Sequence, residues 1–218
     1  MDVIFKVFLV IHATAGGMAL LAGSINMIRK KGDTKHAKMG LIYFYSVLLN
    51  ALSAFFLAIY HPNLFLFSLG VLSFYLISMG RRNLLKSTSK IEKSVQLTDW
   101  LLAIGLFCFG IILTIYSIYQ GFSVGFNIIP FIFGVFPLYI SILVIRKYKN
   151  AKQPSNADYV KGHIVNMMGS YITILSAFLV VNNRGYFPVV IGWFGPALVL
   201  VPLIMKWSRK FGSVENSE

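Results

Sequence analysis

Four histidines are the residues of this sequence with the widest chemical range: His12, His36, His61 and His163. An imidazole can ligate a metal ion or haem iron, and it can exchange a proton near neutral pH. His36 and His163 each follow a basic loop and stand at the start of an apolar stretch, whereas His12 lies within one. His61 precedes Pro62, which is typical of a turn. We therefore take His36, His163 and His12 as candidate ligand or metal residues.

Polar and small residues recur at helical spacing near these histidines. Residues three or four positions apart share one face of a helix, and polar side chains within a membrane face the interior of the protein. Most of the glycines, serines and threonines in these stripes are expected to serve close helix packing. The candidate pocket residues are Asn26, Tyr43, Asn50, Asp99, Asn166, Ser170 and Tyr171.

The composition indicates what kind of element positions these side chains. Of 218 residues, 57% are hydrophobic and 12% are charged, whereas a soluble domain averages about 25% charged residues. The mean hydropathy is +0.73. The aromatic content of 15% excludes a disordered chain, and the single cysteine, Cys108, excludes a disulfide scaffold. The sequence therefore predicts a polytopic membrane protein in contact with the lipid bilayer.

Seven charge-free stretches are long enough to cross a bilayer, which takes about 20 mostly apolar residues. Backbone polar groups find no water in lipid, so each stretch is predicted to be an α-helix. The predicted fold is an all-α membrane protein with seven transmembrane helices. The predicted spans are 7–28, 39–60, 62–80, 100–119, 125–145, 164–183 and 185–205.

The basic residues alternate with the spans. All but Lys6 and Arg184 fall in every second connection or in the tail after the last span. By the positive-inside rule, this asymmetry places the N-terminus outside and the C-terminus in the cytoplasm. It also accounts for the net charge of +13, so we predict no nucleic-acid partner.

The two halves of the chain share an order of short motifs. Segment 24–30 resembles segment 141–147, and each is followed by a basic loop and then by a histidine, His36 or His163. After each histidine come Met-Gly, a tyrosine and Leu-Ser-Ala-Phe. This order predicts a parallel three-plus-one-plus-three repeat within one domain, 1–218, a topology similar to that of the SWEET transporters but with no shared sequence motif. The predicted parts are repeat one at about 1–95, a linking helix at about 96–120, repeat two at about 121–210 and the tail 211–218.

The histidine motifs also resemble those of an uncharacterised family of bacterial multi-span membrane proteins, which carry His-Arg-x-x-Gly-type motifs. Ala37 and Ile164 stand where that family would have an arginine beside the histidine. The resemblance implies a multi-pass protein of the bacterial inner (plasma) membrane and no established activity. The matching positions are His12 with Gly16, His36 with Gly40 and Tyr43, and His163 with Ser170 and Tyr171.

The leading functional hypothesis is that the protein binds haem or a divalent metal ion for electron transfer, at a histidine-lined site in the cytoplasmic half. If the repeat holds, a pseudo-twofold axis brings His36 and His163 to the same depth, and histidines are common axial ligands of haem. Nearby lysines and arginines would neutralise the propionates. Gly40 and Gly169 would leave room for a flat macrocycle.

Two other functions stay open at this point. One is a small-solute transporter with a site near the midplane formed by Asn50, Asn166, His12 and Tyr43. The other is a zinc-dependent intramembrane hydrolase, in which His36, His163 and Asp99 would hold the metal. The sequence does not decide whether the protein is an enzyme. It favours a small-molecule ligand and leaves homo-oligomerisation open.

Overall fold

The computed structural model describes residues 2–124, 128–150 and 154–211, and the side chains of all of these except 122–124. Each helix in these ranges is long and apolar enough to cross a membrane. The prediction of a multi-pass membrane protein built from seven helices is therefore confirmed. The helices are α1 (Val3–Ile28), α2 (Thr34–Tyr60), α3 (Leu64–Ser87), α4 (Leu97–Val124), α5 (Ile128–Lys149), α6 (Asn156–Val181) and α7 (Val189–Phe211).

Several helices begin at side-chain caps that lie before the apolar stretches. The Asp33 carboxylate accepts from the backbone N–H of His36 at 2.6 Å, which satisfies one free donor at the start of α2. At the start of α6, Ser155 and Asp158 form a reciprocal capping box. These caps explain why α2 and α6 begin several residues earlier than the predicted charge-free spans.

The helices form two compact units, which are described separately. Unit 1 contains α1, α2, α3, α6 and α7, in which α2 packs between α1 and α3, and α6 packs between α3 and α7. Unit 2 contains α4 and α5. The predicted repeat joins α5 to α6 and α7, whereas the contacts group α5 with α4. The repeat itself stays a prediction, and the first residues of the predicted fifth span, 125–127, lie outside the described residues.

One end of unit 1 carries a concentration of positive charge. At this end α1, α3 and α7 finish and α2 and α6 begin, and Lys31, Arg81 and Arg209 lie there. We call it the basic end. The other end of unit 1, where α2 ends and α3 begins, is called the opposite end.

The interior of unit 1 combines small and large residues. Ala19 and Ala22 of α1 pack with Val47 and Ile77 in one buried cluster, which also includes two tyrosines described below. Small residues on α1 let the neighbouring helices approach closely, as is common where helices pack in a membrane.

In unit 2 the two helices approach each other most closely at two glycines. A Cβ built on Gly134 would lie 2.6 Å from the backbone nitrogen of Thr114, and one built on Gly110 would lie 2.7 Å from that of Leu138. No side chain fits at either distance. The two helices can therefore pack this closely only because both positions are glycine.

Candidate functional site

His12 joins α1 to α2 in the half of unit 1 nearer the opposite end. Its Nδ1 lies 3.0 Å from the backbone oxygen of Asn50 and 3.2 Å from Oγ of Ser53. In return, the Asn50 amide donates to the backbone oxygen of His12 at 2.9 Å. A proton on Nδ1 would bond the Asn50 backbone oxygen, which can only accept, whereas a lone pair on Nδ1 would accept from the Asn50 amide nitrogen 3.2 Å away. This reciprocal contact links the polar residues of α1 and α2.

Tyr43 and Ser170 connect α2 to α6 deep inside unit 1. Their hydroxyl oxygens are 2.7 Å apart, and Ser170 is fully buried. Because Ser170 donates to the backbone oxygen of Met167 at 2.7 Å, its Oγ is left to accept from the Tyr43 hydroxyl. Both hydroxyls are therefore satisfied without solvent.

Tyr171 makes the matching connection from α6 to α1. Its hydroxyl lies 2.7 Å from Oγ of Ser24, which donates to the backbone oxygen of Leu20. The Tyr171 ring lies directly over Gly23, where an added Cβ would be 2.4 Å from Cδ2 of the ring. Gly23 and Ser24 were not among the predicted pocket residues. The adjacent pair of small residues, one turn beyond Ala19, is the signal that marks this close approach.

His163 joins α6 to α3 near the basic end. Its Nδ1 lies 2.9 Å from the backbone oxygen of Gly80, so Nδ1 carries the proton. Gly80 allows this approach, since a Cβ there would lie 2.8 Å from the sulfur of Met167. Since the proton is on Nδ1, the lone pair of the neutral ring is on the second nitrogen, Nε2.

His36 lies at the basic end, where four buried polar atoms have no partner in the described part of the chain: Nδ1 of His36, Oδ1 of Asn26, Oδ1 of Asn156 and Oγ of Ser208. Gly40, one turn along α2, packs beside the Asn26 amide. Unpartnered buried polar atoms are uncommon in folded proteins, and His36 and Asn26 contribute two of the four at this end.

His36 and His163 each lie seven residues before the Tyr43–Ser170 contact, on α2 and α6, so the two histidines lie at the same depth. They thus lie at the same end of unit 1, and their binding of a shared ligand stays a prediction. The charged groups near the pair are Arg81 on α3, beside His163, and Lys31, Asp33 and Arg29 from the connection between α1 and α2, beside His36. The surroundings of the pair are strongly cationic.

Lys31 also closes the end of α1. Its ammonium donates to the backbone oxygens of Asn26 and Met27 at 2.8 and 2.6 Å, and it lies 4.1 Å from the centre of the Trp207 ring on α7. Burial lowers the pKa of Lys31 from its ordinary value. A cation at the C-terminal end of a helix stabilises the free carbonyl groups there.

The remaining predicted pocket residues do not join the basic-end pair. Asn166 donates to the backbone oxygen of Gly162 on its own helix at 2.7 Å. Asp99 lies in unit 2, where it is 1% exposed and accepts from the backbone N–H of Gln96 in the first turn of α4. In the described ranges no three histidine, cysteine or acidic side chains form a group that could hold a metal ion.

The predicted site residues thus fall into separate groups. One lies at the basic end, one in the middle of unit 1, and one in the half nearer the opposite end. These groups are His36, His163 and Asn26; Tyr43, Ser170 and Tyr171; and His12 with Asn50.

Comparison with known proteins does not identify a family or a function for this chain. No protein-family profile, no curated protein and no solved structure matches the chain. The resemblance to a bacterial membrane-protein family therefore stays a prediction from the histidine motifs.

Proposed function

We propose that this protein binds haem through His36 and His163 and carries electrons within the membrane. The observation that supports the proposal is the pair of imidazoles at the basic end. Both lie seven residues before the Tyr43–Ser170 contact on their helices, so they share one depth. Nδ1 of His36 is buried without a partner in the described residues, and the lone pair of His163 is on Nε2.

The donor set of this pair fits a haem iron. A histidine that binds a metal usually donates its other ring N–H to a carbonyl or a carboxylate, which fixes the ring. His163 does so toward the backbone oxygen of Gly80. Bound haem would supply one-electron chemistry, while the Gly80 carbonyl would hold the His163 ring in position.

The charges around the pair favour haem over a bare metal ion. Three cations, Lys31, Arg29 and Arg81, outnumber the one carboxylate near the pair, that of Asp33. This excess of positive charge would repel a divalent cation and attract a group that brings its own carboxylates. A zinc site would also need a third protein ligand. The described residues contain no such group of three. A zinc-dependent hydrolase is thus the weaker proposal.

Transport of a small solute also receives less support. Tyr43 and Ser170 share one depth because their hydroxyls are bonded. Asn50 lies seven residues beyond Tyr43 on α2, and Asn166 lies four residues before Ser170 on α6, so the two amides differ in depth by roughly 16 Å at 1.5 Å per residue. They do not share one solute site, and each already bonds a backbone oxygen.

The proposed setting is the bacterial inner membrane, with the basic end in the cytoplasm. This orientation follows from the distribution of lysine and arginine, and the source follows from the resemblance of the histidine motifs. In this setting the haem would exchange electrons with partners on the cytoplasmic side.

An absorption spectrum of the purified protein tests the proposal. Protein made in cells supplied with a haem precursor is expected to show a Soret band that shifts on reduction. His36→Gln and His163→Gln should each lose the low-spin spectrum, whereas the control His61→Gln, in an exposed turn, should keep it. Gel filtration of each variant reports whether it is folded. A folded wild-type protein without haem absorbance, or equal loss in the His61 control, would refute haem binding by this pair.

A further inference from the structure

The last turns of α7 carry an open groove that the site above does not use. Its volume is about 610 Å³. Apolar residues lie at one end of it, and three cationic side chains lie at the other. The residues that line it are Pro202, Met205, Lys206, Arg209 and Lys210.

The buried residues of α7 show which side of the helix faces the rest of unit 1, and the groove lies on the other side. Ile204 is buried, and Leu200 packs against the core cluster of unit 1. Trp207 is held by its contact with Lys31. The side chains of Lys206 and Arg209 are exposed and lie on the outer side of the helix.

The outer face is apolar toward the centre of the helix and cationic at its end. Leu198 and Met205 are 76% and 50% exposed. They lie on one face with Pro202 and Arg209, at steps of three or four residues. From Leu198 to Arg209 this face is roughly 16 Å long at 1.5 Å per residue. An apolar strip that ends in several cations matches an acyl chain that ends in a phosphate.

We propose that this face of α7 binds an anionic glycerophospholipid. Lys206, Arg209 and Lys210 contact the phosphate and the anionic headgroup, and one acyl chain lies along Leu198 and Met205. Basic side chains at the cytoplasmic ends of transmembrane helices bind anionic headgroups in this way. The apolar strip makes a lipid the occupant, because a free phosphate would use only the cationic end.

Lipid retention in nanodiscs tests this proposal. The full-length protein is placed in a mixture of phosphatidylglycerol and phosphatidylcholine and released for native mass spectrometry. The wild-type protein should retain phosphatidylglycerol in preference to phosphatidylcholine. Each Lys or Arg near the surface contributes about fivefold in affinity, so the triple variant K206Q/R209Q/K210Q should lose roughly 100-fold.

The matched control removes the same charge from the end of α5. The variant R146Q/K147Q/K149Q neutralises three residues of that helix that are exposed and lie outside the groove, and it should retain the lipid like wild type. Unchanged retention in the α7 variant, or equal loss in both variants, would overturn the proposal. Glycerol phosphate is tested as a soluble competitor. If it displaces the lipid at equal concentration, the groove recognises phosphate alone and the role of the apolar strip is wrong.

Discussion

Gly23 is the position where the packing of unit 1 can be tested most sharply. A methyl group there would lie 2.4 and 2.7 Å from two carbons of the Tyr171 ring and 3.1 Å from a carbon of Tyr43. The Tyr171 ring cannot turn away freely, because its hydroxyl is bonded to Ser24. The substitution Gly23→Ala must therefore move α1 away from α6 or break this hydrogen bond.

The expected cost follows from these two effects. Overpacking a well-packed interior costs about 1–3 kcal/mol, and a lost hydrogen bond adds about 1 kcal/mol. A total of about 2–4 kcal/mol corresponds to a fall in Tm of roughly 4–16 °C for a protein of this size. Thermal unfolding of the detergent-purified variants measures it.

The matched control is Gly17→Ala, on the same helix. A Cβ on Gly17 meets no atom within 4 Å, so this variant reports only the change in helix propensity and should not lower Tm. If Gly23→Ala unfolds at the same temperature as Gly17→Ala, the close approach of α1 and α6 is wrong. The clash itself is tested by G23A/Y171A, which should be no less stable than Y171A alone.

Two other substitutions test the buried contacts. Tyr43→Phe removes the donor to Ser170 and should cost about 1–2 kcal/mol, whereas Tyr45→Phe, at a side chain that is 60% exposed, should cost almost nothing; thermal unfolding of both measures the difference. In unit 2, Gly134→Ala places a methyl group 2.6 Å from the backbone of α4 and should lower Tm by several degrees, whereas a Cβ on Gly105 meets no atom within 4 Å. Equal Tm values for the Gly134→Ala and Gly105→Ala variants would contradict the packing of α4 on α5.

The sequence predicted the number and approximate position of the helices because the bilayer imposes a strong constraint. An apolar stretch of about 20 residues has few alternatives to a helix in lipid. The ends of the helices were predicted less well. A span ends at the first charge, whereas a helix continues through basic residues that reach the interface, as α3 does through Arg81 and Arg82.

The candidate site was predicted in part. The pattern of loops was enough to place His36 and His163 at one end. The sequence does not give the rotation of each helix about its own axis. It therefore could not distinguish a direct contact between His12 and Asn50 from a solute site that these two residues share with Asn166. Ser24 was missed because a hydroxyl in an apolar helix can bond its own backbone, and its second partner lies on a distant helix.

Unit 1 is interrupted in the sequence by residues 89–154, and this has a consequence for biogenesis. At translation rates of about 5–20 residues per second, α6 leaves the ribosome on the order of ten seconds after α3. During that interval the hydrogen bond between Gly80 and His163 cannot form. The face of α3 around Gly80 contacts lipid or the insertion machinery until α6 is present. Substitutions on this face will therefore change the yield of inserted protein as well as the stability of the finished fold.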